Sequence, residues 1–157
     1  MSRDTKRKLA ENMLHLVRAH EAANDKFDEI ACTKLGINRT DLRCLNIVDN
    51  EGPMTAGRLA ERSGLTTAAV TSVLDRLERA GYARRVREQK DRRQVIVELT
   101  PLLEERAGPI WGPLGDDANA ALARMTLEEL QSLADFFRLG IELNETHAER
   151  VRHLEFE

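Results

Sequence analysis

The sequence predicts a mainly α-helical fold carrying one small β-hairpin. Three features lead there. Apolar residues recur every three or four positions through most of the chain, the spacing of a helix face. Between residues 82 and 99 the spacing shifts toward two, the period of a strand. Aromatic residues are 4% of the chain against 41% hydrophobic, so the core must be built from Leu, Val, Ile and Ala. At 157 residues there is enough chain for one compact domain and a dimerisation element.

The first helix is expected from about Lys6 to Leu35, with Leu9, Met13, Leu16, Val17, Phe27, Ile30 and Ala31 on one stripe and Gly36 ending it. This stripe precedes any compact unit and needs a partner, either the C-terminal helix or a second subunit. Asn38-Arg39-Thr40 offers a cap for a helix from Asp41 to Asp49, closed by Glu51-Gly52-Pro53. Thr55 caps a short helix, Ala56 to Arg62, that Gly64 terminates, and Thr66 caps another reaching about Ala80. On this last helix Val70, Val73, Leu74 and Leu77 point inward, leaving Thr67, Ala68, Thr71, Ser72 and Asp75 outward.

After Gly81 the chain reads as a strand from Tyr82 to Arg87, a charged turn from Glu88 to Arg92, and a returning strand from Gln94 to Leu99. Helix, short glycine-containing turn and helix, followed at once by a basic hairpin, is the outline of a winged helix-turn-helix. Thr100-Pro101 starts a further helix, which Gly108-Pro109 and Gly112-Pro113 are expected to bend or break. The final helix begins near Thr126 and continues into the 140s or beyond, with Leu127, Leu130, Leu133, Ala134, Phe137 and Ile141 on its apolar side.

The net charge of −3 and a pI near 5.9 argue, taken alone, against a nucleic-acid partner. The average hides an asymmetry. Residues 104–157 carry 5 basic and 12 acidic side chains, whereas the remainder carries 19 basic and 15 acidic. A local basic field can act within an acidic whole because screening shortens the reach of distant charge.

The order of parts resembles the MarR family of bacterial transcription regulators. Three stretches carry the likeness: Met54-Thr55-Ala56-Gly57-Arg58-Leu59-Ala60-Glu61-Arg62-Ser63-Gly64-Leu65-Thr66, then Leu74-Asp75-Arg76-Leu77-Glu78-Arg79-Ala80-Gly81-Tyr82, then Asp91-Arg92-Arg93-Gln94-Val95-Ile96-Val97-Glu98-Leu99-Thr100. The resemblance implies a homodimer held by helices in residues 1–36 and 101–157, with a DNA-binding lobe at residues 37–100. Two lobes would meet successive major grooves of a pseudo-palindromic operator. It further implies a repressor released by a small-molecule effector, often an aromatic acid in relatives. The two Gly-Pro pairs depart from the family, whose helix after the wing is usually less interrupted.

The recognition helix is expected to present Thr66, Thr67, Ala68, Thr71 and Ser72 to base edges, where hydroxyls bond and methyls meet thymine. None is Arg or Asn, so part of the specificity is expected from DNA shape. Arg76 is a phosphate or base contact, with an ion pair to Asp75 or Glu78 as the alternative. By resemblance Arg93 enters the minor groove, held by Asp91, and Arg84, Arg85, Lys90 and Arg92 meet phosphates. Cys44 sits among Leu42, Leu45 and Val48 as a small hydrophobe, and Asp28 and Glu29 lie one turn before Cys32 and disfavour its thiolate. Both are expected to be structural rather than redox sensors. His15, His20, His147 and His153 have no zinc-motif spacing. His15 and His20, with Trp111, are the candidates for an effector pocket. No catalytic motif, cofactor or metal is expected, nor a signal segment or membrane span, which points to a cytoplasmic non-enzyme. The rival function is a winged-helix protein-interaction module that does not read DNA.

Overall fold

A computed structural model of the chain describes residues 3–87 and 94–155. Its elements run α1 (Arg3–Leu35), α2 (Arg39–Glu51), β1 (Met54–Thr55), α3 (Ala56–Ser63), α4 (Thr67–Ala80), β2 (Ala83–Arg87), β3 (Val95–Leu99), α5 (Pro101–Leu122) and α6 (Leu127–Arg152). The chain divides into two compact units between Ile110 and Trp111.

In the first unit, α2, α3 and α4 pack on one another over a core of Leu42, Leu45, Val48, Leu59, Val70, Val73, Leu74 and Leu77. The four inward residues expected on α4 are all buried, and Thr67, Ala68, Thr71, Ser72 and Asp75 are exposed. Each helix start has its own cap. Asn38 and Asp41 form a reciprocal capping box at α2, and the hydroxyls of Thr55 and Thr66 accept the Arg58 and Ala69 N–H groups. Gly64 and Gly81, at φ 67° and 79°, end α3 and α4 in the left-handed conformation that costs glycine little.

The sheet has the order β1-β3-β2, all antiparallel, with Arg85 opposite Val97 and Met54 on the other side of Val97. The strand β1 is not foreseen from the sequence. Two residues carry no periodicity, and β1 exists because the open edge of β3 is there to pair with. On β3, Val97 is fully buried and Val95 is 49% exposed. Tyr82 closes the unit: its ring is buried and its hydroxyl donates to the Leu35 carbonyl at the end of α1, 3.0 Å away.

Of the bend or break expected at the Gly-Pro pairs, the break does not occur, because α5 is a single 22-residue helix through both of them. A proline removes one intrahelical donor and crowds the residue before it. Here that residue is glycine in each case, and Gly108 and Gly112 have open space where a Cβ would stand. The crowding is therefore relieved, and both pairs are exposed, so water can reach the carbonyls left unpaired.

In the second unit α6 starts with a full capping box, Thr126 and Glu129. No residue of α6 is buried. Leu127, Phe137, Ile141 and Leu143 stand exposed, as do Leu9, Leu14 and Leu16 on α1 in the first unit. Among the described residues no helix is long and apolar enough to cross a membrane.

Candidate nucleic-acid interface

The exposed face of α4 is uncharged over its first two turns. Thr66, Thr67, Ala68, Thr71 and Ser72 are all open to solvent. The hydroxyls of Thr71 and Ser72 donate back to the carbonyls of Thr67 and Ala68, at 3.0 and 3.2 Å. Each oxygen keeps its acceptor lone pairs free, so this face can accept from the amino groups of adenine or cytosine without rearranging.

Two arginines grip the edges of that face. At about 100° per residue, Arg76 sits on the edge nearest Ser72, and Glu78 on the opposite edge beside Thr71. Arg76 reaches away from its own helix to Asp41 at the start of α2. Its Nε donates to both carboxylate oxygens at 3.2 and 3.1 Å, and its Nη2 donates to Oδ1 at 2.6 Å. This hydrogen bonding holds the guanidinium pKa above its ordinary value. The partner is Asp41, not the Asp75 or Glu78 weighed as the alternative from sequence. Sequence distance hid it, since the two residues lie 35 positions apart. The available signal was an acid three residues after the Asn38 cap, which reads as a capping box and nothing more.

On the other edge, Arg85 of β2 holds the helix to the wing. Its Nη2 pairs with Asp75 at 2.8 Å, its Nη1 with Glu78, and its backbone N–H donates to Glu78 Oε1 at 2.8 Å. The strand β2 is an edge of the sheet, so this carboxylate satisfies a backbone donor that no neighbouring strand can reach. Arg84 pairs with Glu98 of β3 at 2.5 Å. The expected phosphate ligands Arg84 and Arg85 thus both lie against carboxylates in the free chain. Arg58 and Arg62 on α3 converge on Glu51, whose pKa the Arg62 hydrogen bond lowers. Lys90, Asp91, Arg92 and Arg93 lie outside the described residues.

His15 and His20 are exposed on α1 and five residues apart, which places them about 140° apart around the helix. His20 meets Asn24 at 3.2 Å. Trp111 is half-buried on α5. Cys32 and Cys44 are both buried free thiols, and desolvation pushes both pKa values up. No group of His, Cys, Asp and Glu among the described residues is arranged to hold a metal.

A family model described as the MarR family matches residues 37–95, which span α2 through the start of β3. The Bacillus subtilis HTH-type transcriptional regulator YcgE, itself uncharacterised, is 30% identical over 96% of this chain and 98% of its own length. The chain belongs to the MarR family. It is a DNA-binding transcription regulator built on the winged helix-turn-helix fold. Two solved structures share that fold. Reduced AbfR bound to DNA matches at a TM-score of 0.56 and 22% identity, covering 96% of this chain and 99% of AbfR. NadR in complex with 4-hydroxyphenylacetate matches at 0.58 and 23%, covering 80% of this chain and 88% of NadR.

Proposed function

We propose that this MarR-family regulator acts as a homodimeric repressor of a pseudo-palindromic operator, released by a small aromatic acid. The observation that carries the reading is the uncharged, hydroxyl-bearing face of α4, open to solvent and clamped along both edges. A face that pre-set can enter a major groove with little further loss of side-chain freedom on binding.

In this reading Thr66, Thr67, Ala68, Thr71 and Ser72 meet base edges, and Arg76 meets a base or phosphate beside them. Arg93, positioned by Asp91, enters the minor groove, and Lys90 and Arg92 neutralise phosphates. Arg84 and Arg85 lie close to the same backbone, but their carboxylate partners reserve them first for holding the wing. The dimer is built from residues 1–36 and 101–157. It is supported by Leu9, Met13 and Leu16, exposed along one side of α1, and by Leu127, Phe137 and Ile141, exposed along one side of α6, since exposed apolar rows mark association surfaces. The effector class is supported by the acid bound to NadR. The ligand acts only if it binds the DNA-competent and incompetent arrangements with different affinity.

Fluorescence anisotropy against the DNA upstream of the protein's own gene, with a random duplex as control and a salt series, tests the proposal. Tight, salt-sensitive binding that prefers the upstream duplex is the expected result. No binding even at low salt would overturn it and make a protein-interaction module the better reading.

A further inference from the structure

The Asp41–Arg76 pair joins two elements that the helix-turn-helix outline treats separately, the first helix of the lobe and the recognition helix. Asp41 is 1% exposed, yet it is an aspartate. Its Oδ2 also accepts the Asn38 N–H at 3.2 Å, so the α2 cap as well as Arg76 holds the carboxylate in place. The Arg76 side chain is 38% exposed. A guanidinium has five N–H donors in a rigid plane. Two of them, on Nε and Nη2, are spent on Asp41, which fixes that plane. The three that remain belong to Nη1 and the outer side of Nη2, and they point away from the carboxylate, one helical turn beyond Ser72.

We propose that Asp41 is a positioning residue for operator recognition: it fixes Arg76 so that the free Nη1–Nη2 edge meets one base edge at the rim of the major groove. The inference rests on the DNA-binding reading of α4 given above. It has a consequence that simple scaffolding lacks. A guanidinium neutralised by a carboxylate contributes direction more than charge. The pair therefore adds to discrimination between duplexes and little to general attraction for DNA. Removing the negative charge while keeping the side-chain shape should strengthen non-specific binding and weaken discrimination at the same time. Asn is suited to this, because its carbonyl oxygen can still accept the Asn38 N–H and the released Arg76 can turn to water.

The test uses the full chain and an operator duplex obtained by selection from a randomised pool with the wild-type protein. Anisotropy titrations across a salt series measure the preference for that duplex over the random pool. Asp41→Asn is expected to bind the random pool more tightly, with a steeper salt dependence, while preference falls about tenfold, the loss of one oriented bidentate contact. Arg76→Gln is expected to lose the same preference, and the double variant to match Arg76→Gln alone. Arg76→Lys keeps the charge and an ion pair to Asp41 but not the planar fork. It is expected to lose preference while melting near the wild-type temperature, so the conclusion does not depend on Asp41→Asn folding well.

Unchanged preference in Asp41→Asn and Arg76→Lys, with a loss in Arg76→Gln, would overturn the positioning role and leave Arg76 as a plain contact. Additive losses in the double variant would overturn it too. No loss in Arg76→Gln, or no enriched sequence from the pool, would overturn it by removing the DNA-reading role beneath it.

Discussion

The clamp between the wing and the recognition helix makes a measurable claim about Arg85. Its guanidinium lies against Asp75 and Glu78, with its side chain 29% exposed and that of Glu78 34% exposed. Fully exposed ion pairs couple by about 0.2–1 kcal/mol. This one is half-buried and engages two carboxylates, so a coupling near the upper end, about 1 kcal/mol, is expected between Arg85 and Glu78. The cycle needs Arg85→Ala, Glu78→Gln and the double variant. Gln retains an acceptor for the Arg85 backbone N–H, which confines the measured coupling to the side-chain pair. Urea denaturation at one fixed protomer concentration supplies the free energies, since association would otherwise shift them. In thermal scans, about 1 kcal/mol corresponds to a shift of roughly 2–4 °C for a chain of this size. The reasoning fails if the coupling is below about 0.2 kcal/mol. It fails also if Arg85→Ala leaves stability intact while the salt slope of DNA binding falls by about one, because that is the signature of a phosphate ligand.

Two further outcomes follow from the same geometry. Thr66→Ala should cost about 1 kcal/mol by leaving the Ala69 N–H at the start of α4 without its acceptor, and Thr66→Ser should restore most of it in urea titrations. The buried thiols of Cys32 and Cys44 should alkylate far more slowly in the native protein than in urea, because burial holds both in the neutral form. Their raised pKa values fix the sign of a pH effect. The folded state keeps its thiol protons after the unfolded chain has begun to release them. Stability is therefore fully present below the ordinary thiol pKa of about 8.5 and declines as the pH rises above it. A Cys32→Ala, Cys44→Ala double variant should show a shallower decline in denaturation midpoint over that range.

Much of the lobe was legible in the sequence because each of its elements carries a local signal. Asn38, Thr55 and Thr66 cap helices by their own side chains, Gly64 and Gly81 end them by their own backbone, and the inward row Val70, Val73, Leu74 and Leu77 follows from helical spacing. These depend on residues a few positions apart, and tertiary context had only to agree with them. The exposed face of α4 was legible for the same reason, as the complement of its buried row.

What the tertiary structure alone decided is what depends on residues far apart in the chain. β1 is a strand because β3 lies beside it, and nothing within Met54-Thr55 announces that. α5 continues through two prolines because each follows a glycine with open space around it, a balance that a rule about proline does not settle. The arginines are the sharper case. Sequence shows that Arg76, Arg84 and Arg85 are cations near a recognition helix, and a cation's work depends on which anion reaches it first. Folding brings Asp41, Glu98 and Glu78 to them across 35, 14 and 7 residues. Charge is written into the sequence, whereas its pairing is set by distance in space, and that pairing separates a free phosphate ligand from a clamp.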